Sequence, residues 1–325
     1  MIKQFRQRAA SAVLLLAAIS CLTLGCASPP AGEAEAHPQA ISLLGDPLYP
    51  MPVSPEVLAE REANLAAARA AYTADPTDED RIIWLGRRLA YLGLYDKAIG
   101  VFSHGLSLHP NSYKLRRHRG HRYITTRRLD DAIADLSAAA RLIQGVPDEV
   151  EPDGLPNARN IPTSTSHTNI YYHLGLAHYL KGEFDQALAA YRWCQSFATN
   201  DDMRCAASYW FYLTLRRLGR DRETSVVLER ITPDMDIIEN FAYHELLLLF
   251  KGERWPEQIL AGESEPGPVG VRIDDATRGY GVGAWYLING DLQHAHTIFR
   301  QVVAAPAWPA FGHIAAEAEL ARAAE

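Results

Sequence analysis

Between Lys114 and Tyr123 the chain reads KLRRHRGHRY, and Lys114, Arg116, Arg117, Arg119 and Arg122 crowd it with no acid among them. His118 and His121 stand between these cations. Two chemistries suit such a set. Guanidinium forks favour carboxylate or phosphate, and histidines three apart on a helix can share a metal ion, with His173 and His178 as further ligands. The surrounding positive charge would repel a divalent ion, and no HExxH or other zinc spacing occurs. Neither a metal nor a cofactor is therefore expected. There is also no GxSxG, no P-loop and no GxGxxG following a strand, so the residues point to binding rather than to an enzyme. Across its 325 residues the chain has a formal net charge of -7, which argues against a nucleic-acid partner. The basic stretch is a local feature with its own cause.

Its surroundings repeat. WLGRRLAYLGLYDKAIGVF from Trp84 and YHLGLAHYLKGEFDQALAAY from Tyr172 share Leu-Gly, then Gly seven residues on, then an aromatic, Ala, and Phe or Tyr. Pro76 to Pro110 and Ala98 to Ala132 are both steps of 34, and Gly182, Gly219, Gly252 and Gly290 continue at 37, 33 and 38. This resembles the tetratricopeptide repeat (TPR), and the resemblance covers roughly residues 55–325. It implies an all-α fold: a TPR-like α-solenoid of stacked antiparallel helix pairs, closed by a C-terminal capping helix after Pro309. One helix is expected at about 55–74, then pairs at about 79–112, 113–146, 168–201, 204–236, 237–263 and 274–305.

In TPR proteins the first helix of each pair lines a concave groove. Carried onto this sequence, the resemblance makes Arg87, Tyr91, Lys114, Arg117, His121 and Thr125 groove residues. Asn169, Tyr172, Tyr179, Tyr209 and Arg216 follow on later pairs. Such a groove is cationic and aromatic, suited to an acidic peptide or partner protein. It does not reproduce the Lys/Asn/Asn/Lys/Arg carboxylate clamp of chaperone-binding TPR proteins. Arg116 and Arg119 stand where the previous repeat has Ile82 and Leu85. Unpaired charge there would be costly, so both are expected to find carboxylates, those of the neighbouring insertion among them.

That insertion, residues 146–168, separates two repeats. Its prolines and Asp-Gly step forbid a continuous helix. Asp148, Glu149, Glu151 and Asp153 make its first half acidic. It reads as a surface decoration pinned by salt bridges, as a lid over a polar pocket, or as a disordered segment, and the lid admits a small-ligand or hydrolytic site beneath it.

The first residues carry an address. Lys3, Arg6 and Arg8 precede an apolar run from Ala9 to Leu24, which ends in LTLGC. This resembles the lipobox of bacterial lipoproteins, implying a signal peptide over 1–25, lipidation of Cys26 and a lipid anchor in the membrane. An ordinary signal cut near Ala27 and an uncleaved anchor helix are the alternatives. Ala27, not acidic, implies by the same resemblance the outer membrane, facing the periplasm. Residues 26–54, rich in Pro, Ala and Gly, read as a tether. Cys194 and Cys205 are expected as either a disulfide or two buried thiols.

Overall fold

The computed structural model describes residues 37–262 and 273–324. Among these, a small antiparallel hairpin, β1 (Ala40–Ile41) and β2 (Pro47–Leu48), precedes a run of helices. Helix α1 spans Pro55–Ala74, followed by the pairs α2 (Glu79–Tyr91) with α3 (Tyr95–Leu108) and α4 (Tyr113–Thr125) with α5 (Leu129–Leu142). Next come α6 (Ser166–Lys181) with α7 (Phe184–Phe197), and α8 (Asp201–Arg217) with α9 (Asp221–Glu229). The shorter α10 (Phe241–Phe250) and α11 (Pro256–Leu260) lead to α12 (Ile273–Ile288), α13 (Leu292–Ala304) and α14 (Phe311–Arg322).

The helix starts follow from local chemistry. Ser54, Asp78, Ser112 and Asn200 each accept a backbone N–H of the first turn, and Pro55 sits at the first position of α1. Thr165 and Thr168 cap α6 reciprocally, side chain to backbone in both directions. The glycines of the repeat then set helix crossing. A methyl added at Gly86 would overlap Phe102, one at Gly120 would overlap Leu136, and one at Gly175 would overlap Tyr191. Gly283 and Phe299 repeat the relation on the last pair. One small residue on the first helix thus receives one large residue from the second, and this packing produces the period.

First helices form an inner layer, with α2, α4, α6 and α8 touching in turn and α12 reaching back to α8. Second helices cover them from outside. The inner layer curls far enough for Tyr179 of α6 to share a hydrogen bond of 2.9 Å with Tyr280 of α12. The capping helix α14 packs on α12 and α13, and its other face lies on the inner layer itself. Phe311 sits against His121, Tyr172 and His173, while Glu319 meets Arg217 at 2.6 Å. The chain's own last helix therefore fills the middle of the concave side.

The hairpin joins this arrangement. Leu43 donates its backbone N–H to Glu317 of α14, and the Trp308 indole donates to the Tyr49 carbonyl at 2.7 Å. From His37 onward, the stretch expected as a tether is folded onto the solenoid. The expected signal segment, Cys26 and the rest of that tether lie outside the described residues. Among the described residues no helix is long and apolar enough to cross a membrane.

Candidate functional site

The arginines of α4 divide by the face they occupy. Arg119 points toward α5 and grips Asp135 with two nitrogens, at 2.6 and 2.8 Å, and Arg116 reaches the same carboxylate at 3.2 Å. Asp135 is buried. The two arginines at apolar repeat positions are thus paired, as charge burial requires, but with α5 and not with the insertion. The insertion's acids go instead to the inner-face cations: Glu149 to Lys114 at 2.9 Å and Glu151 to Arg117 at 2.9 Å.

These pairs belong to a docked strap. Val150 bridges Thr165 in antiparallel fashion, and Ser166 donates to the Glu149 carbonyl, closing the insertion on itself. Arg88 of α2 donates to the Gly154 carbonyl at 2.9 Å, where the strap backbone lies against the Tyr91 ring so closely that a side chain would collide. Farther along, Arg159 pairs with Asp236 at 2.6 Å, Thr163 donates to Glu239, and Asn200 donates to the Thr163 carbonyl. The strap crosses α2, α4 and the loop before α10. Val150, Glu151, Pro152 and Asp153 of the strap line two cavities.

The two cavities adjoin beneath the strap. The outer one, about 200 Å³, has Ile83, Trp84, Ile170 and Val150 in its walls with the Lys114–Glu149 pair at its rim. The inner one, about 130 Å³, is walled by Arg87, Arg117, Arg122, His118, His121 and Asp153. Arg117, Arg87 and Glu151 border both. Arg87 stacks over Trp84 at 4.5 Å and donates to the Tyr91 hydroxyl, and Arg122 lies over the Tyr95 ring at 5.5 Å; among the described residues neither has a carboxylate partner. Burial, opposed by Tyr95 and Tyr91 but aided by Arg117 and Arg87, brings Arg122 down to about 10. Three guanidiniums thus converge on a space that holds one paired carboxylate, Glu151. Asp153 adds a carboxyl whose Oδ2 is buried without a hydrogen-bond partner, and burial, with Glu239 adding, raises its pKa.

The histidines are neutral members of this wall. Burial first, then the nearby guanidiniums, hold His118, His121 and His173 well below 6.5. Arg117 donates to His118 Nδ1 at 2.9 Å, so this imidazole carries its proton on Nε2. His173 donates from Nδ1 to the Asn169 carbonyl at 2.6 Å, and the His121 and His173 rings lie 4.3 Å apart. His178 is elsewhere, paired with Glu183. Among the described residues no three His, Cys, Asp or Glu side chains are grouped to hold a metal.

The rest of the expected groove set is not gathered here. Tyr172, Tyr179 and Tyr209 are buried, as is Thr125. Tyr172 receives the Trp210 indole N–H at 2.8 Å and bonds Tyr243, while Tyr209 packs on Trp210 and Tyr243. They are core because the inner layer curls shut over them. Arg216 is spent on Asp221 at 2.8 Å and on the Ile288 carbonyl. Asn169 holds Glu151 and Ser164 and so supports the strap. Of the expected set, Arg87, Tyr91, Lys114, Arg117 and His121 border the cavities.

Trp84, Arg122 and Asp153 border the cavities but are not in the expected groove set, although Arg122 belongs to the basic stretch and Asp153 to the insertion's acidic half. The disulfide alternative is corrected: Cys194 and Cys205 are both free and buried. Cys194 Sγ faces the Thr168 carbonyl and Cys205 Sγ the Met235 sulfur, so the thiols look to different neighbours.

No protein-family model matches the chain, and no curated protein does. Solved structures do. One is YrrB, described as a TPR protein with an unusual peptide-binding site, at 15% identity and a TM-score of 0.40 over 74% of this chain and 92% of that one. Another is PilW, a type IV pilus biogenesis factor, at 15% identity and 0.43 over 76% and 86%. A TPR protein from Parabacteroides merdae aligns at 14% identity and 0.47 over 76% and 87%. Stacked helix pairs, an inner layer of first helices and a terminal cap make this chain's own fold a TPR-type α-solenoid.

Proposed function

We propose that this chain is a cell-envelope binding protein that holds an anionic ligand in the roofed cavities between α2, α4 and the strap. The observation that carries this reading is the convergence of Arg87, Arg117 and Arg122 on a space with a single paired carboxylate. Fixed guanidiniums in a partly desolvated cleft favour carboxylate or phosphate strongly. The walls select charge and shape, which is the chemistry of binding. Capture of a whole acidic partner along an open groove is less well supported, because α14 and the strap already lie over the surface such a partner needs.

The address rests on the lipobox-like LTLGC and the lipidation expected at Cys26, with the solenoid in the periplasm at the outer membrane. A Cys26→Ser chain that still partitions with membranes would contradict the anchor. For the ligand, native mass spectrometry of the protein released gently from its own envelope is the test. A bound mass that disappears in Arg87→Glu and Arg122→Glu supports the reading. A ligand-free protein, or a ligand indifferent to both changes, opposes it.

A further inference from the structure

The two cavities differ in chemistry, and the difference narrows the ligand. The outer chamber has Trp84, Ile83, Ile170 and Val150 in its wall; Lys114 and Arg117 there are paired with strap acids, and Arg87 borders it from the side of the inner chamber. The inner chamber gathers more of the charge, with Arg87, Arg122 and the neutral imidazoles of His118 and His121 beside Ala90 and Phe102. The Arg117–Glu151 pair stands between them and borders both. Arg117 is 9% exposed, and its Nε is buried with no hydrogen-bond partner. A buried guanidinium with an unused donor is an expense that a bound oxygen would remove.

Resting on the anion-binding reading above, we infer that the ligand is a small amphiphilic organic acid. Its carboxylate or phosphate lies in the inner chamber between Arg87, Arg117 and Arg122. Its aromatic or short aliphatic body lies in the outer chamber against Trp84 and under Val150. An inorganic anion would satisfy the arginines and leave the apolar chamber wet. A neutral aromatic would fill the outer chamber and leave the guanidiniums unpaired. Only a molecule carrying both parts uses both chambers. The sizes, about 200 and 130 Å³, suit one ring or short chain and one acid group.

The test is calorimetric titration of the intact folded chain with acetate, inorganic phosphate, 3-phenylpropionate and phenyl phosphate. The aromatic acids should bind at least about tenfold more tightly than acetate and phosphate, since burying a ring in an apolar wall adds a hydrophobic gain. Val150→Ser should remove part of that advantage while leaving acetate binding within about twofold; Val150 is largely exposed, so its change leaves the fold intact. Arg122→Gln, or Arg87→Gln should the former fail to fold, should weaken all four acids. Equal binding of acetate and 3-phenylpropionate would overturn the amphiphilic assignment and leave the anion site standing. Absence of binding by any acid would overturn both. A peptide ending in phenylalanine with a free carboxylate, binding as tightly as 3-phenylpropionate, would overturn the restriction to small molecules.

Discussion

Arg127 and Glu317 lie 190 residues apart and meet in a buried two-pronged ion pair, Nε to Oε2 at 3.0 Å and an outer guanidinium nitrogen to Oε1 at 2.6 Å. Arg127 occupies the turn between α4 and α5, one 34-residue step after Gly93, and takes the same left-handed backbone, φ 62° against 73°. Glycines hold the corresponding turns at Gly182, Gly219 and Gly290. An arginine there carries strain of about 1 kcal/mol or more, offset by its bonds to Glu317 and to the Trp308 carbonyl. The pair ties the second repeat to α14 and fixes that helix inside the concave side.

Glu317→Ala should therefore lower unfolding stability by about 3 kcal/mol, because it leaves a buried guanidinium unpaired. Arg127→Gly relieves the strained turn yet strands Glu317, so it should destabilise as well, by somewhat less. Urea denaturation of the two variants measures both. A change below about 0.5 kcal/mol in either, the size expected of a surface substitution, would mean that α14 is held by apolar packing alone.

Acid should act in two windows. The unfolded chain takes up protons near 6.5 that His118, His121 and His173 refuse when folded, because burial and the guanidiniums keep them neutral. Stability from these groups is complete above that pH and declines below it. Burial alone would raise Glu317, but hydrogen bonds from His313 and Arg127 and the Arg127 charge bring it to about 2 from 4.5. Its contribution, about 3 kcal/mol, is present above pH 4.5 and lost as pH falls toward 2. Denaturation measured from pH 7 to 3 should show both declines. Glu317→Gln should remove only the lower one, and His173→Asn should make the upper one shallower.

The strap depends on close backbone approach at Gly154. Gly154→Val should lift residues 146–165 from Tyr91 and Arg88 without unfolding the solenoid. Hydrogen exchange should rise at Glu151 and Ser166, whose amides donate within the strap. Unchanged exchange there would show the roof to be held by its salt bridges instead.

The thiols should stay reduced. Burial, with Asp202 and Asp201 adding, pushes Cys205 up to about 12, and burial raises the Cys194 thiol as well. Peptide mapping under non-reducing conditions should find both residues free, and a reducing agent should leave the melting temperature unchanged. A linked peptide pair would contradict the packing.

What could be read from the sequence was what repeats. Gly86, Gly120 and Gly175 each meet a large residue on the partner helix, so their spacing carried the fold. What does not repeat was harder. The partner of Arg119 is Asp135, sixteen residues on in the same repeat, yet the insertion's acids were nearer in composition and drew the expectation. Tyr172, Tyr179 and Tyr209 have groove spacing, but how tightly the inner layer curls, and what the last helix covers, depends on contacts between distant repeats. Arg127 was legible in principle, being a non-glycine at a glycine step of the period.

The role of the basic helix α4 depends on what its inner face meets. Diffraction from crystals grown with 3-(4-bromophenyl)propionate locates the ligand by the anomalous signal of its bromine. The prediction is a bromine peak in the outer chamber between Trp84 and Val150, with the carboxylate among Arg87, Arg117 and Arg122. An empty cavity at saturating ligand, or bromine only on the outer surface of the solenoid, would contradict it.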